Sequence, residues 1–310
     1  METANQTSQT MFILLGMCDV LHLQVFCFIM FLLIYIITLS GNGLLILVVR
    51  FNPTLQTPMY FFLSNLSIVD ICFSSSVVPK MLINTLSKDR SISFLDCAVQ
   101  MYIHLAMGAC ESILLAVMAY DRFVAICRPL HYNIIMNKKF CIGLATMAWS
   151  VGFLNSFILV IPTLHLPLCW SNHIDHFFCE IPPFLQLSCS DTRTNVIVIY
   201  ISAGIIVMCS FILTLVSYAH IISSILKIRS LQGRYKTFST CTSHLAVVTI
   251  YYGTIMFMYM RPPTAHSPKI DRTVPIIYTA VTPLLNPFIY SMRNTDVKDC
   301  ILVNVVFNCL

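Results

Sequence analysis

Seven stretches of this 310-residue chain run for about the length of a membrane-crossing helix with almost no charge: residues 25–49, 59–78, 97–120, 140–162, 195–226, 237–260 and 273–292. A helix needs roughly 20 apolar residues to cross a hydrocarbon core about 30 Å thick. In lipid only helices and closed barrels satisfy their own backbone hydrogen bonds, and no stretch shows the period-two alternation of barrel strands. The pattern predicts an all-α membrane protein, a bundle of seven transmembrane helices whose fifth projects past the bilayer. A hydrophobic share of 57% agrees, since soluble domains sit nearer 45–50%. The loops leave no room for a second domain or a catalytic lobe. The chain therefore reads as one domain, with residues 1–24 outside, 25–292 forming the bundle and its loops, and 293–310 a short cytoplasmic tail. "MFILLGMCDV", residues 11–20, is apolar but short and interrupted by Asp19, so it reads as a poor signal peptide and leaves targeting to the first span.

Basic residues set the orientation. With the N-terminus outside, eleven of the 18 lysines and arginines fall on or beside the cytoplasmic face with three of the 13 acids; seven bases and eight acids lie outside, and Asp70 and Glu111 lie within the membrane. This asymmetry is the positive-inside pattern, so the formal charge of +5 is a topology signal and not a nucleic-acid signal. In this orientation Asn5, in Asn5-Gln6-Thr7, is a glycosylation acceptor, whereas Asn65 lies within a span and is out of reach. Cys169, Cys179 and Cys189 lie in the long outer loop 163–194, and Cys97 opens the third span on the same side. Four cysteines in an oxidising compartment can pair in three ways. Cys27, Cys72, Cys110, Cys141, Cys209 and Cys241 read as buried free thiols, and Cys18 as an unpaired outer one.

Polar residues inside the spans carry the functional information, because each is costly there and faces the bundle interior. Asp70 lies eleven residues above Met59, and Glu111 eleven residues above Arg122 on a helix running the other way. At about 1.5 Å per residue both carboxylates sit about 16 Å from the cytoplasmic end. Two acids at one depth on neighbouring helices need a shared proton or a cation; the alternative is separate hydrogen bonds to Ser or Asn. On the third span His104, Gly108, Glu111, Leu115 and Arg122 share one helical face. That face joins an outer histidine, in a pocket or in the core, to a cytoplasmic arginine beside Asp121. In the seventh span Pro283 and Pro287 each remove a backbone donor, which predicts a kink or local unwinding near Asn286.

These residues lie within motifs. "GN" at Gly41-Asn42, "TPMYFFLSNLSIVD" at 57–70, "MAYDRFVAIC" at 118–127, "SY" at Ser217-Tyr218, "KTFSTCTSHL" at 236–245 and "PLLNPFIYSMRN" at 283–294 follow one another on the expected spans. Together they resemble the olfactory receptors, a branch of the rhodopsin-like G-protein-coupled receptors, across essentially the whole chain. "HFFCEIPPFLQLSC" at 176–189 resembles the tetrapod-type branch. The resemblance implies an odorant-activated receptor for a small volatile ligand, coupled to a stimulatory G protein that raises cyclic AMP, in the plasma membrane of olfactory cilia. Membrane lipid is its surroundings and nucleic acid is not a partner. It implies Cys97–Cys179 and Cys169–Cys189 bridges, and a sodium ion at Asp70 and Glu111 as the one expected cofactor. Asp121 is expected to hold Arg122 at rest, and Tyr218, Asn286, Pro287 and Tyr290 to take part in the switch. Phe123 stands where the family usually has tyrosine. The implied ligand positions are His104, Leu105, Gly108, Ser202, Ile206, Tyr252, Ile255, Tyr259 and Thr279. No lysine or arginine is among them, which favours neutral volatiles, although Arg261 or Lys269 could reach in from the third outer loop.

Other classes fit less well. A transporter would show an internal repeat, and seven spans do not divide into matched halves. No HExxH or nucleophile motif accompanies the two acids, as an intramembrane enzyme would require. A covalent retinal pigment needs a lysine in the seventh span, which has none. A rhodopsin-like receptor for a small lipid or metabolite is the nearest alternative.

Overall fold

The computed structural model describes residues 10–15, 21–169, 171–259 and 274–293. Its elements are β1 (Met11–Leu14), α1 (Leu21–Phe51), α2 (Pro58–Leu86), β2 (Ser91–Ser93), α3 (Phe94–Cys127), α4 (Tyr132–Ile135), α5 (Lys138–Leu164), β3 (His173–Ile174), α6 (Ile181–Leu185), α7 (Arg193–Lys227), α8 (Leu231–Tyr259) and α9 (Thr282–Arg293). A π turn, Ile277–Val281, precedes α9. Six helices (α1, α2, α3, α5, α7 and α8) are long and apolar enough to cross a membrane, and the seventh span is the shorter apolar run Val274–Tyr290. All seven predicted stretches are therefore helical where described. At 35 residues α7 is the longest, in keeping with a fifth span that outruns the bilayer.

α3 is the axis of the bundle. Two-thirds of its apolar window is buried, against 11% for α1 and for α7, so the latter two present most of their side chains to lipid. α3 starts cleanly because Ser93 Oγ accepts from the Asp96 backbone N–H at 3.1 Å, which satisfies one of the orphan donors of the first turn. It meets α5 so closely that a Cβ on Gly152 would stand 2.6 Å from the Ala106 carbonyl oxygen. Trp149 Nε1 donates to Asn65 Oδ1 at 3.0 Å and ties α5 to α2, which gives Asn65 a structural role in keeping with its inaccessibility.

The last span departs from expectation in an instructive way. α9 stays helical through Pro283 and Pro287, and the irregularity falls at the π turn about one turn outward of Pro283. Pro287 lacks the N–H that would meet the Pro283 carbonyl. Asn42 Nδ2 meets it instead, at 3.0 Å. Gly41 lets the proline ring approach, since a Cβ there would lie 3.2 Å from Pro287 Cγ. The "GN" pair thus supplies the donor that the proline removes.

A small sheet of three short strands is added to the helical bundle. β1 pairs antiparallel with β2 and parallel with β3, and buries Phe12 and Leu14 under the outer cap. The start of "MFILLGMCDV" is therefore a strand. Cys97 is bonded to Cys179 and Cys169 to Cys189, the pairing that the resemblance implies. Of the six thiols expected to be buried, Cys110, Cys141 and Cys241 are, Cys27 and Cys72 are half-buried, and Cys209 is exposed on a lipid-facing helix surface. Asn5, Cys18, Arg261, Lys269 and the tail beyond Arg293 lie outside the described residues.

Candidate functional site

A narrow cavity of about 90 Å³ lies in the outer half of the bundle beside α3, lined among others by Phe73, His104, Leu105, Gly108, Ser112, Asn155, Ile206, Tyr251, Ile255 and Tyr278. Of the nine expected ligand positions, His104, Leu105, Gly108, Ile206 and Ile255 line it. A Cβ added to Gly108 would meet nothing within 4 Å, so this residue opens the space. No charged side chain is among the described lining residues.

His104 is nearly buried in an aromatic box. Its ring stacks on Phe73 at 4.6 Å and tilts against Phe178 at 4.9 Å and Tyr278 at 5.8 Å. Its Nδ1 has no hydrogen-bond partner among the described residues. An unsatisfied buried imidazole nitrogen is costly, and a ligand or water in the cavity can relieve it. The histidine is therefore both packed and available, which joins the two readings that the sequence left open.

Three expected positions stand behind the wall. Tyr252 donates to the Ser112 carbonyl at 3.0 Å and packs on Phe211 of α7. Its neighbour Tyr251 faces the cavity and donates to the Gly108 carbonyl at 2.6 Å, with Ser112 Oγ 2.8 Å away. One residue is about 100° of helix rotation, enough to exchange the two rings. Ser202 donates to Asn155 Oδ1, and Asn155 is the residue that lines the cavity. Thr279 sits in the π turn, buried, with its hydroxyl unpartnered, and Tyr278 takes the cavity position. A π turn carries an extra residue and so shifts the face that a regular helix would present. The Tyr259 side chain lies outside the described residues. Asn155, Tyr251 and Tyr278 were missed, although a polar Asn155 inside the fourth span carried the same signal that drew attention to Asp70.

The outer loop covers the cavity. Gln100 Oε1 accepts from the Cys179 backbone N–H at 2.7 Å, and Tyr278 donates to Glu180 Oε1 at 3.2 Å. His176 Nε2 lies 3.9 Å from Glu180 Oε2. Burial pushes the Glu180 carboxyl up to about 7, against the lowering effect of the Tyr278 hydrogen bond.

Below the cavity a column of polar residues follows α3 inward. Asn286 Nδ2 donates to both Asp70 oxygens, at 3.1 and 2.9 Å. Glu111 is fully buried within electrostatic reach of Asp70. Both its oxygens and Asn286 Oδ1 have no hydrogen-bond partner. Three orphaned acceptor oxygens beside an acid pair are the donor set of a hard cation, so these residues fit a sodium ion.

At the cytoplasmic end Asp121 does not grip Arg122. Its Oδ1 accepts from the Tyr132 hydroxyl of α4 at 2.9 Å, and no ion pair between the two is formed. The reason is adjacency: neighbouring residues on a helix point about 100° apart, and Tyr132 returns under α3 to claim the acid. Arg122 lies within electrostatic range of Tyr218, His244 and Tyr290, and its Nε is buried without a partner. His244, unremarked within its motif, is central here. Its Nε2 lies 3.1 Å from the Leu115 carbonyl, which can only accept, so Nε2 carries the proton. Nδ1 must then accept from the Tyr218 hydroxyl 2.8 Å away. The neutral ring thereby latches α8 to α3 and α7. The Tyr290 hydroxyl is buried and unpartnered. Phe123, without a hydroxyl, packs on His220 with ring centroids 5.5 Å apart.

A seven-span bundle with a capped outer cavity, a buried polar column and an inner latch defines a membrane receptor. A model of the olfactory receptor family matches residues 31–307. Olfactory receptor 2C3 of Homo sapiens is 46% identical over 309 residues, covering 100% of this chain and 97% of the relative. Olfactory receptor 5I1 of Homo sapiens is 48% identical over 95% of this chain and 94% of the relative. The olfactory receptor-like protein OLF1 of Canis lupus familiaris is also 48% identical, over 95% of each chain. The chain belongs to the olfactory receptor family of G-protein-coupled receptors. It is a multi-pass membrane protein of the odorant-sensing kind, not an enzyme.

Proposed function

We propose that the chain binds a small neutral volatile compound in the α3 cavity and, in the plasma membrane of olfactory cilia, activates a stimulatory G protein that raises cyclic AMP. The observation that carries the ligand class is the lining: apolar and aromatic walls, a few hydroxyl and amide groups, one unsatisfied imidazole nitrogen and no described charge. Alcohols, aldehydes, ketones and esters suit it; a carboxylate would have no ionic partner there. At about 90 Å³ the space is below the roughly 300–1,000 Å³ usual for drug-sized ligands, so occupants are small or spread the side chains on entry.

The cavity and the inner latch share α3. A ligand that moves Tyr251 displaces the hydrogen bonds that hold α8 against Gly108, and the His244 latch lies about two turns further along the same helix. Release of that latch frees α8 to swing and exposes Arg122 to the G protein. Asp70 and Glu111, with Asn286, would hold a sodium ion, which together with one retained proton would balance the charge of the acid pair in the resting receptor. The experiment is a cyclic-AMP readout in cells expressing the chain, across a panel of volatile compounds, paired with Arg122→Ala. The variant should reach the surface at roughly the wild-type level and give no response, and full signalling at matched surface level would refute the coupling role.

A further inference from the structure

A second hollow, of about 720 Å³, opens between α2, α3 and α5 on a face of α3 adjoining the one that carries the odorant cavity. It opens toward lipid: Ile83 and Val99 at its edges are 59% and 53% exposed. Its two ends differ in chemistry. Lys80, Ser91, Ser93 and Asp96 line the outer end, near the outer termini of α2 and α3, whereas Met107, Trp149 and Phe153 line the inner end. From Asp96 to Met107 is eleven residues of helix, about 16 Å, close to half of a hydrocarbon core of about 30 Å. The hollow is as deep as one leaflet and polar where the leaflet is polar.

The lining at the outer end has one side chain of each charge, Lys80 and Asp96, and Asp89 lies within electrostatic reach of Lys80. Lys80 is half-buried and gives one proton to the Ser91 carbonyl at 2.5 Å; its other two have no acceptor among the described residues. Asp96 accepts from Ser93 Oγ through Oδ2 at 2.7 Å, and its Oδ1 accepts from no described side chain. The geometry points to a built site for one outer-leaflet phospholipid with a zwitterionic head group, its phosphate at Lys80, its ammonium at Asp96 and one acyl chain lying along Val99, Ile103 and Trp149. A sterol uses neither charge, and phosphatidylglycerol satisfies Lys80 through its phosphate but brings only neutral hydroxyls, and no cation, to Asp96. The site is independent of the odorant reading, because its head-group residues do not touch the odorant cavity.

The chain has two tryptophans, so Trp170→Phe leaves Trp149 as the only tryptophan, which can be excited selectively over the tyrosines. The purified full chain with that change is placed in phosphatidylglycerol bilayers doped with phosphatidylcholine brominated along its acyl chains. Trp149 quenching should saturate at a brominated-lipid fraction well below that of random mixing, and brominated phosphatidylglycerol in a phosphatidylcholine host should not reproduce this. Lys80→Gln should raise the half-quenching fraction about fivefold, the scale of a partly exposed charge pair, and Asp96→Asn should abolish the preference for choline over glycerol. If Lys80→Gln does not reach the membrane, Asp96→Asn decides the matter alone. Quenching proportional to lipid fraction, equal for both head groups and unmoved by the variants, would mean bulk lipid only and overturn the site. Absent quenching would overturn it too, as would saturable quenching by a brominated sterol instead.

Discussion

Above the α3 cavity the chain ties itself down with two disulfides and a three-stranded sheet, whereas below it Glu111, Asn286, Tyr290 and Arg122 keep buried polar atoms with no hydrogen-bond partner among the described residues. The cap is covalently closed, and its Cys179 amide and Glu180 carboxylate are matched by Gln100 and Tyr278. The column has more acceptors than donors, with a single amide nitrogen, Asn286 Nδ2, serving both oxygens of Asp70. An unsatisfied buried group raises the free energy of the state that contains it. A region built this way has alternatives within reach, and one built like the cap does not. On the proposed reading, the cap holds the cavity's shape and the column lets occupancy of that cavity change the far end.

Breaking the cap should have the largest effect. Cys97→Ser or Cys179→Ser removes a bridge spanning 82 residues, where a disulfide contributes about 2–4 kcal/mol, and surface delivery should be lost nearly completely. Cell-surface labelling against total protein measures it; delivery at half the wild-type level or better would show that the sheet closes the cap unaided.

At the boundary between the regions, His104→Ala should raise the half-maximal concentration of a hydrogen-bonding odorant at least about tenfold, given about 1–3 kcal/mol for one buried hydrogen bond. It should leave a hydrocarbon odorant of similar size nearly unchanged. Equal losses for both ligands would place the histidine with the cap, as packing alone.

The smallest effect concerns pH. Glu180 in the closed cap holds its proton up to about 7 because it is buried, whereas an exposed glutamate releases it near 4.3. Between these values the closed cap binds the proton that the opened cap releases. Its contribution to cap stability is therefore full below the lower value and lost as pH rises through the upper. Hydrogen exchange at Phe177–Glu180, corrected for intrinsic rates, should be slower at pH 5.5 than at pH 8, and Glu180→Gln should flatten the difference. A difference that survives Glu180→Gln would show that Glu180 is not its source.

How much of this was legible in the sequence follows the physics of each part. The spans are set by absence of charge, a property that survives any tertiary detail, and all seven appear where described. The acid pair was found by counting residues along two helices, because 1.5 Å per residue holds through both. Side chains at the cavity were less secure. Tyr252 and Thr279 were each one residue off, the first because the face of α8 turns on a rotation no periodicity fixes, the second because a π turn shifted the register before α9. The strands were invisible, since segments of four, three and two residues carry too few alternations to read. His244 was quoted within its motif yet given no role, because its partners, Tyr218 and Leu115, lie 26 and 129 residues away. The bridges came from family resemblance; spacing alone left three pairings.

The central claim is that occupancy of the α3 cavity is what the receptor reports, and Gly108→Leu tests it most directly, because a Cβ at that position meets nothing within 4 Å and the residue lines the cavity that the larger side chain would fill. Cyclic-AMP responses should be compared between the native chain and Gly108→Leu at matched surface level, across compounds that activate the native chain. The account predicts that the variant loses every response, polar and apolar alike, while delivery is unchanged. Responses retained at native potency with the cavity filled would contradict it.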